Sequence, residues 1–242
     1  MLGRLPKLSS LRSSLLLAVP VFASAWLLFA IEPMLAKLLL PTLGGSPATW
    51  AACLVTFQQL LLGGYGYAYV GARWLSVGRQ ATVHALLLVL AVGVVLEARL
   101  GAAPELGALP FAFEVPWFVL RGVGVPFLVL SITALLLARW ARLVRRSGHA
   151  LYSVSNAGAL LGLLGYPLLL ERFIGLPVQF SLWAAGFVLF GLSLLPVCVV
   201  VARRGGDFTP EVAVSRRLPL VRRLYWLACA AAPSALLLAV TN

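Results

Sequence analysis

The chain has 242 residues, of which 62% are hydrophobic and 11% charged, and its mean hydropathy is +1.00. That composition excludes a water-soluble globule and points to a polytopic membrane protein, because too few polar side chains remain to cover an aqueous fold. The formal net charge of +12 does not mark a nucleic-acid binder either, since the basic residues sit in clusters between apolar runs, with neither a soluble basic domain nor an aromatic reading surface.

Runs of about 18 or more apolar residues can cross the hydrocarbon core as helices. Six follow in chain order, over about 14–40, 48–71, 81–97, 116–138, 151–170 and 177–201, with a seventh over about 219–241. None alternates like a barrel strand, and backbone polar groups in lipid must be satisfied within the segment. The expected fold class is therefore all-α, a polytopic transmembrane bundle of about seven helices. A single membrane module over 1–242 with no soluble catalytic domain is expected. Its longest polar interruption, Arg203 to Arg217, reads as the loop before the last helix. Arg4, Lys7 and Arg12 ahead of Ala23-Ser24-Ala25 imitate a signal peptide. The apolar run nevertheless continues through Trp26-Leu27-Leu28-Phe29-Ala30, which favours an uncleaved first helix.

The charges alternate loop by loop. Arg4, Lys7 and Arg12 precede the first helix, Arg73 and Arg79 separate the second from the third, and Arg139, Arg142, Arg145 and Arg146 follow the fourth. Arg203, Arg204, Arg216, Arg217, Arg222 and Arg223 surround the sixth-to-seventh connection, whereas the third-to-fourth one carries Glu97, Glu105 and Glu114 against Arg99. By the positive-inside rule the N-terminus is cytoplasmic, and the basic loops are placed to meet anionic lipid.

Ionisable residues at bilayer depth are functional candidates by default. Glu32 lies about 27 Å along the first helix from residue 14, at about 1.5 Å per residue, and Lys37 lies higher. Arg121 falls near the outer end of the fourth helix, and Glu171 ends the fifth. Glu32 and Lys37 are five residues apart and face different ways on a straight helix, so cross-helix pairs are expected, Glu32 with Arg121 first. Snorkelling to the headgroups is the structural reading for Lys37 and Arg121, and flanking of a helix end for Glu171. Asn156 stands ready to hydrogen-bond across helices, and Gly158 with Gly162 forms a small-xxx-small face for close packing. His84 and His149 read as isolated structural residues. Cys53, Cys198 and Cys229 lack any paired spacing for a metal or a disulfide framework.

Three ordered blocks carry a family resemblance. The first is Pro33-Met34, Lys37, Leu39-Leu40-Pro41, Leu43-Gly44-Gly45-Ser46-Pro47, Trp50, Phe57-Gln58, Leu61-Leu62 and Gly64-Tyr65 with Tyr67-Ala68. The second is Pro126-Phe127, Leu130-Ser131, Thr133 and Arg139-Trp140. The third runs from Tyr152, Ser155-Asn156, Gly158 and Leu161 through Tyr166-Pro167 and Glu171 to Gly175-Leu176, Gln179, Leu182-Trp183 and Gly186. Together they resemble the membrane (MFS-like) N-terminal module of the bacterial fused MFS/spermidine synthase family, with differences at Ala51-Ala52, Leu135 and Arg172. The resemblance implies an inner-membrane, multi-pass protein that acts as a membrane anchor or transporter-like module. In that family the module continues into an aminopropyltransferase-like domain.

Such a domain needs a Gly-rich cofactor turn after a strand. Gly63-Gly64-Tyr65-Gly66 and Gly122-Val123-Gly124 sit instead within apolar helices. No catalytic residue, cofactor or metal is expected here. The expected partners are the lipid bilayer and other membrane subunits or a further C-terminal part. The alternative role is that of a non-catalytic transmembrane subunit. In single-cysteine variants, residues near 44, 105 and 173 should react with an impermeant thiol reagent added outside, and residues near 76, 144 and 210 should not. Labelling at 144 with none at 105 would reverse the topology.

Overall fold

A computed structural model describes residues 7–98, 107, 110–141, 149–204 and 219–241. Every regular element among them is helical. There are seven helices: α1 (Lys7–Leu43), α2 (Pro47–Trp74), α3 (Val77–Glu97), α4 (111–141), α5 (149–173), α6 (Leu176–Arg204) and α7 (Leu220–Thr241). The all-α bundle expected from the sequence is thus what the chain forms. Five of these helices contain segments long and apolar enough to cross a membrane: Leu15–Leu43, Val77–Glu97, Phe113–Ala141, Ala150–Phe173 and Leu176–Arg204. The helices α2 and α7 are not among the five. In α2 the apolar run is diluted by Gln58, Gln59 and Gly63, Gly64 and Gly66, and α7 opens on Arg222 and Arg223.

The chain forms two compact units, Met1–Pro210 and Glu211–Asn242. The second contains α7, in which the guanidinium of Arg222 lies 5.8 Å from the Trp226 ring centroid. The helices of the first unit begin and end where local chemistry dictates. Gly44, at φ +72°, follows the last residue of α1, and its N–H donates to Leu40 O at 3.0 Å. Glycine is the residue that takes this left-handed conformation without strain. Ser46 then caps α2, its hydroxyl accepting from Thr49 N at 3.2 Å, with Pro47 at the first position of the helix. The Leu43-Gly44-Gly45-Ser46-Pro47 motif is therefore a tight helix-to-helix turn. Ser76 caps α3 in the same manner and moves its start to Val77 from the expected 81. Two π-helical turns, Leu120–Gly124 in α4 and Tyr166–Leu170 in α5, adjoin or contain Pro126 and Pro167, whose missing N–H breaks the regular ladder.

Helix direction can be read from contacts. Gly158 and Gly162 lie on Phe22 and Trp26, and Glu171 on Lys37, so α1 and α5 run parallel. Phe57 stacks on Phe127, Gly64 on Ile132, and Ala72 O accepts from Arg139, so α2 and α4 also run parallel. The main pairings are α1 with α4, α5 and α6, α2 with α4, and α3 with α4 and α6. This set is unchanged when α1 and α4, α2 and α5, and α3 and α6 are exchanged. The pairing α1·α5 becomes α4·α2, and α1·α6 becomes α4·α3. Successive helices alternate in direction, so the exchange also inverts each one. The first unit thus consists of two three-helix sets with inverted pairing.

Arg73, Arg79, Arg139, Arg203 and Arg204 collect at one end, where an open recess is lined by Trp74, Arg79, Thr82 and Ala202. The opposite end carries Lys37, Arg121, Glu171 and Arg172. At the bundle centre Trp183 stacks on Phe187 at 5.5 Å and donates its indole N–H to Leu27 O at 2.8 Å, tying α6 to α1. A Cβ at Gly158 would stand 2.5 Å from Phe22 O, and one at Gly162 would stand 2.7 Å from Trp26 O. Both obstacles are backbone atoms. Gly158→Ala and Gly162→Ala should therefore each lower thermal stability in detergent, by about 1–3 kcal/mol as expected for overpacking. Gly93→Ala, where nothing lies within 4 Å, should not. Equal melting temperatures for all three variants would disprove the close approach.

Candidate functional site

The residues singled out in the sequence occupy two different settings. Gly158 and Gly162 form the buried seam against α1, as a small-xxx-small face should. Asn156 is exposed on α5, and no hydrogen bond joins it to another helix among the described residues. The four charged candidates all lie at the end opposite the arginine cluster. Lys37 Nζ and Glu171 Oε1 are 3.0 Å apart, joining α1 to α5. This is the ion pair the structure forms, in place of the expected pair between Glu32 and Arg121. Arg121 is exposed on the π turn of α4, and Glu32 is half-buried on α1. Neither has an ion-pair partner among the described residues. The parallel register of α1 and α5 explains the change, because it advances Glu171 to the level of Lys37, one turn beyond Glu32.

Lys37 and Glu171 remain 40% and 43% exposed. A pair that open is screened and is worth about 0–1 kcal/mol. Near it, the Gln179 amide donates to Leu170 O at 3.2 Å and to Ile174 O at 2.7 Å, closing the end of α5. At the start of α4 the Gly107 N–H donates to the buried carboxylate of Glu114.

A second cluster, around His84, becomes visible only in the fold. His84, on α3, is completely buried and faces Tyr67 of α2, with ring centroids 6.4 Å apart, and Trp140 of α4, edge-on at 6.2 Å. Gln80, one turn earlier on α3, is also completely buried and accepts the Trp140 indole N–H at 3.2 Å. Beside it the Arg139 guanidinium donates to Ala72 O at 3.1 Å. Histidine and glutamine four residues apart on one helix face, opposite Arg139-Trp140, were the available signal. It is a weak one, because only the fold shows that α3 turns this face toward α2 and α4.

Hydroxyl groups in the spans are satisfied locally. Ser24, Thr56, Thr82, Ser131, Thr133, Ser181 and Ser193 each donate to a carbonyl three or four residues back in their own helix. By contrast, Tyr67 Oη, Gln80 Nε2 and both ring nitrogens of His84 have no hydrogen-bond partner among the described residues. A buried donor or acceptor left unmet costs about 1–3 kcal/mol, so such a concentration calls for a partner other than the described side chains. No group of three or more His, Cys, Asp or Glu residues able to hold a metal occurs among the described residues.

No family model matches the chain, and no curated protein or solved structure does so either.

Double-mutant cycles separate the ion pairs. Lys37→Gln and Glu171→Gln should show a coupling below about 1 kcal/mol, while Glu32→Gln and Arg121→Gln should be additive in detergent unfolding. A strong coupling between Glu32 and Arg121 would contradict the structure.

Proposed function

We propose that the chain is a transporter-like transmembrane module of a bacterial inner membrane that works as part of a larger membrane assembly. The inverted pairing of α1–α3 with α4–α6 carries this reading. Internal repeats of inverted topology are a recurring way to build a bundle with two related conformations, in which one repeat rocks against the other. The resemblance to the membrane module of the fused MFS/spermidine synthase family points the same way. A polyamine is a poor cargo for the residues described. A polycation needs several acids, and of the candidates Glu171 is engaged by Lys37 while Glu32 stands alone. The buried cluster around His84 offers amide, imidazole and phenol groups, with a guanidinium at its edge.

A non-catalytic subunit role is favoured by a different observation. Gln58 and Gln59 are exposed on α2, about 18 Å from its first residue at 1.5 Å per residue, and Asn156 is exposed on α5. Amides at bilayer depth are better placed against protein than against lipid. The helices α2 and α5 exchange under the inverted pairing, so these amides lie on equivalent helices of the two three-helix sets. A photoreactive side chain at 59 or 156 should capture protein in native membranes, whereas one at Leu189, 66% exposed on α6, should capture lipid. Lipid capture at all three positions would contradict a role in assembly.

A further inference from the structure

We propose that Tyr67, Gln80 and His84 form a buried water-binding site between α2, α3 and α4. Tyr67 of α2 faces His84 of α3, Gln80 lies one turn before His84 on the same helix, and Trp140 and Arg139 of α4 flank them. Their hydrogen-bonding capacity is complementary to water. Gln80 Nε2 donates, Tyr67 Oη donates and accepts, and a neutral imidazole donates through one nitrogen and accepts through the other. All four atoms are buried, and protein supplies a partner to none of them among the described residues. A water molecule that makes about three bonds to otherwise unmet groups is the usual occupant of such a place.

Neither ring beside His84 stacks on it face to face: Tyr67 is tilted at 6.4 Å and Trp140 edge-on at 6.2 Å. The proposed water bridges the unmet atoms of Tyr67 and His84, whose rings face each other from adjoining helices. Gln80 is anchored by its oxygen to the Trp140 indole, which leaves its Nε2 beside Gly71. A Cβ at Gly71 would stand 3.0 Å from that nitrogen, so glycine at this position lets the amide turn toward α2. The charged group beside the cluster is the Arg139 guanidinium, so the site suits a neutral, hydrogen-bonding molecule better than a cation.

Radiolytic footprinting tests this on the intact protein in a bilayer, because ionising pulses generate hydroxyl radicals from bound water where bulk water cannot reach. His84 and Trp140, both buried, should be modified severalfold faster than Phe187 and Phe190, which are equally buried in an apolar setting. Tyr67→Phe removes one anchor and should lower modification of His84 severalfold without changing that of Phe187. Modification of His84 no faster than that of Phe187 would show a dry cluster and overturn the proposal, as would an unchanged rate at His84 in Tyr67→Phe. Melting of Tyr67→Phe followed in parallel separates a lost water from a lost fold.

Discussion

Gly158 and Gly162 bring the backbones of α1 and α5 so close that a single methyl group on either glycine would collide with a carbonyl oxygen. In lipid the tails are as apolar as the side chains, so close packing of this kind replaces burial from water as the source of helix association. Much of the first unit depends on it. The contact sets α1 and α5 parallel and fixes their register. That register brings Glu171 to Lys37 and leaves Glu32 without a charged neighbour among the described residues. The parallel α2–α4 pair, in which Gly64 lies against Ile132, repeats the arrangement on the other side of the exchange.

Polar groups then divide into two classes. Hydroxyls fold back on their own helices, and the indoles of Trp140 and Trp183 reach across to named acceptors. These contacts fix helix positions. The imidazole of His84, the phenol of Tyr67 and the free end of Gln80 depart from this as a group, whereas Tyr166 Oη and Gln179 Oε1 do so singly. A bundle that evolved for rigidity alone would fill this position with apolar side chains, since burying polar groups without partners is costly. Its location near the arginine-rich end, between helices of different three-helix sets, is where relative motion of the two sets would be felt.

The existence and order of the helices were legible because long apolar runs have few alternatives. The outward shifts of their ends came from Ser46 and Ser76, whose capping extends each helix beyond the apolar stretch. The small-xxx-small face was legible for the same local reason, since Gly158 and Gly162 lie one turn apart whatever the fold. Pairing was not legible. Glu32 and Arg121 have matching depth, but depth says nothing about which helices are neighbours, and α5 rather than α4 brings the ion-pair partner of α1. His84 appeared isolated because its partners Tyr67 and Trp140 lie on other helices. Gln80, only four residues away, carries no charge to draw notice.

The inverted arrangement of two three-helix sets rests on α1 and α5 being parallel neighbours. Electron–electron distance measurements in a bilayer test this with spin labels at exposed positions. Leu16 and Tyr152 mark one end of the two helices, and Leu40 and Phe173 the other. Short distances are predicted for both same-end pairs, with the crossed pairs Leu16–Phe173 and Leu40–Tyr152 separated by about the 30 Å thickness of the hydrocarbon core. Short crossed pairs and long same-end pairs would mean antiparallel helices and would contradict the account.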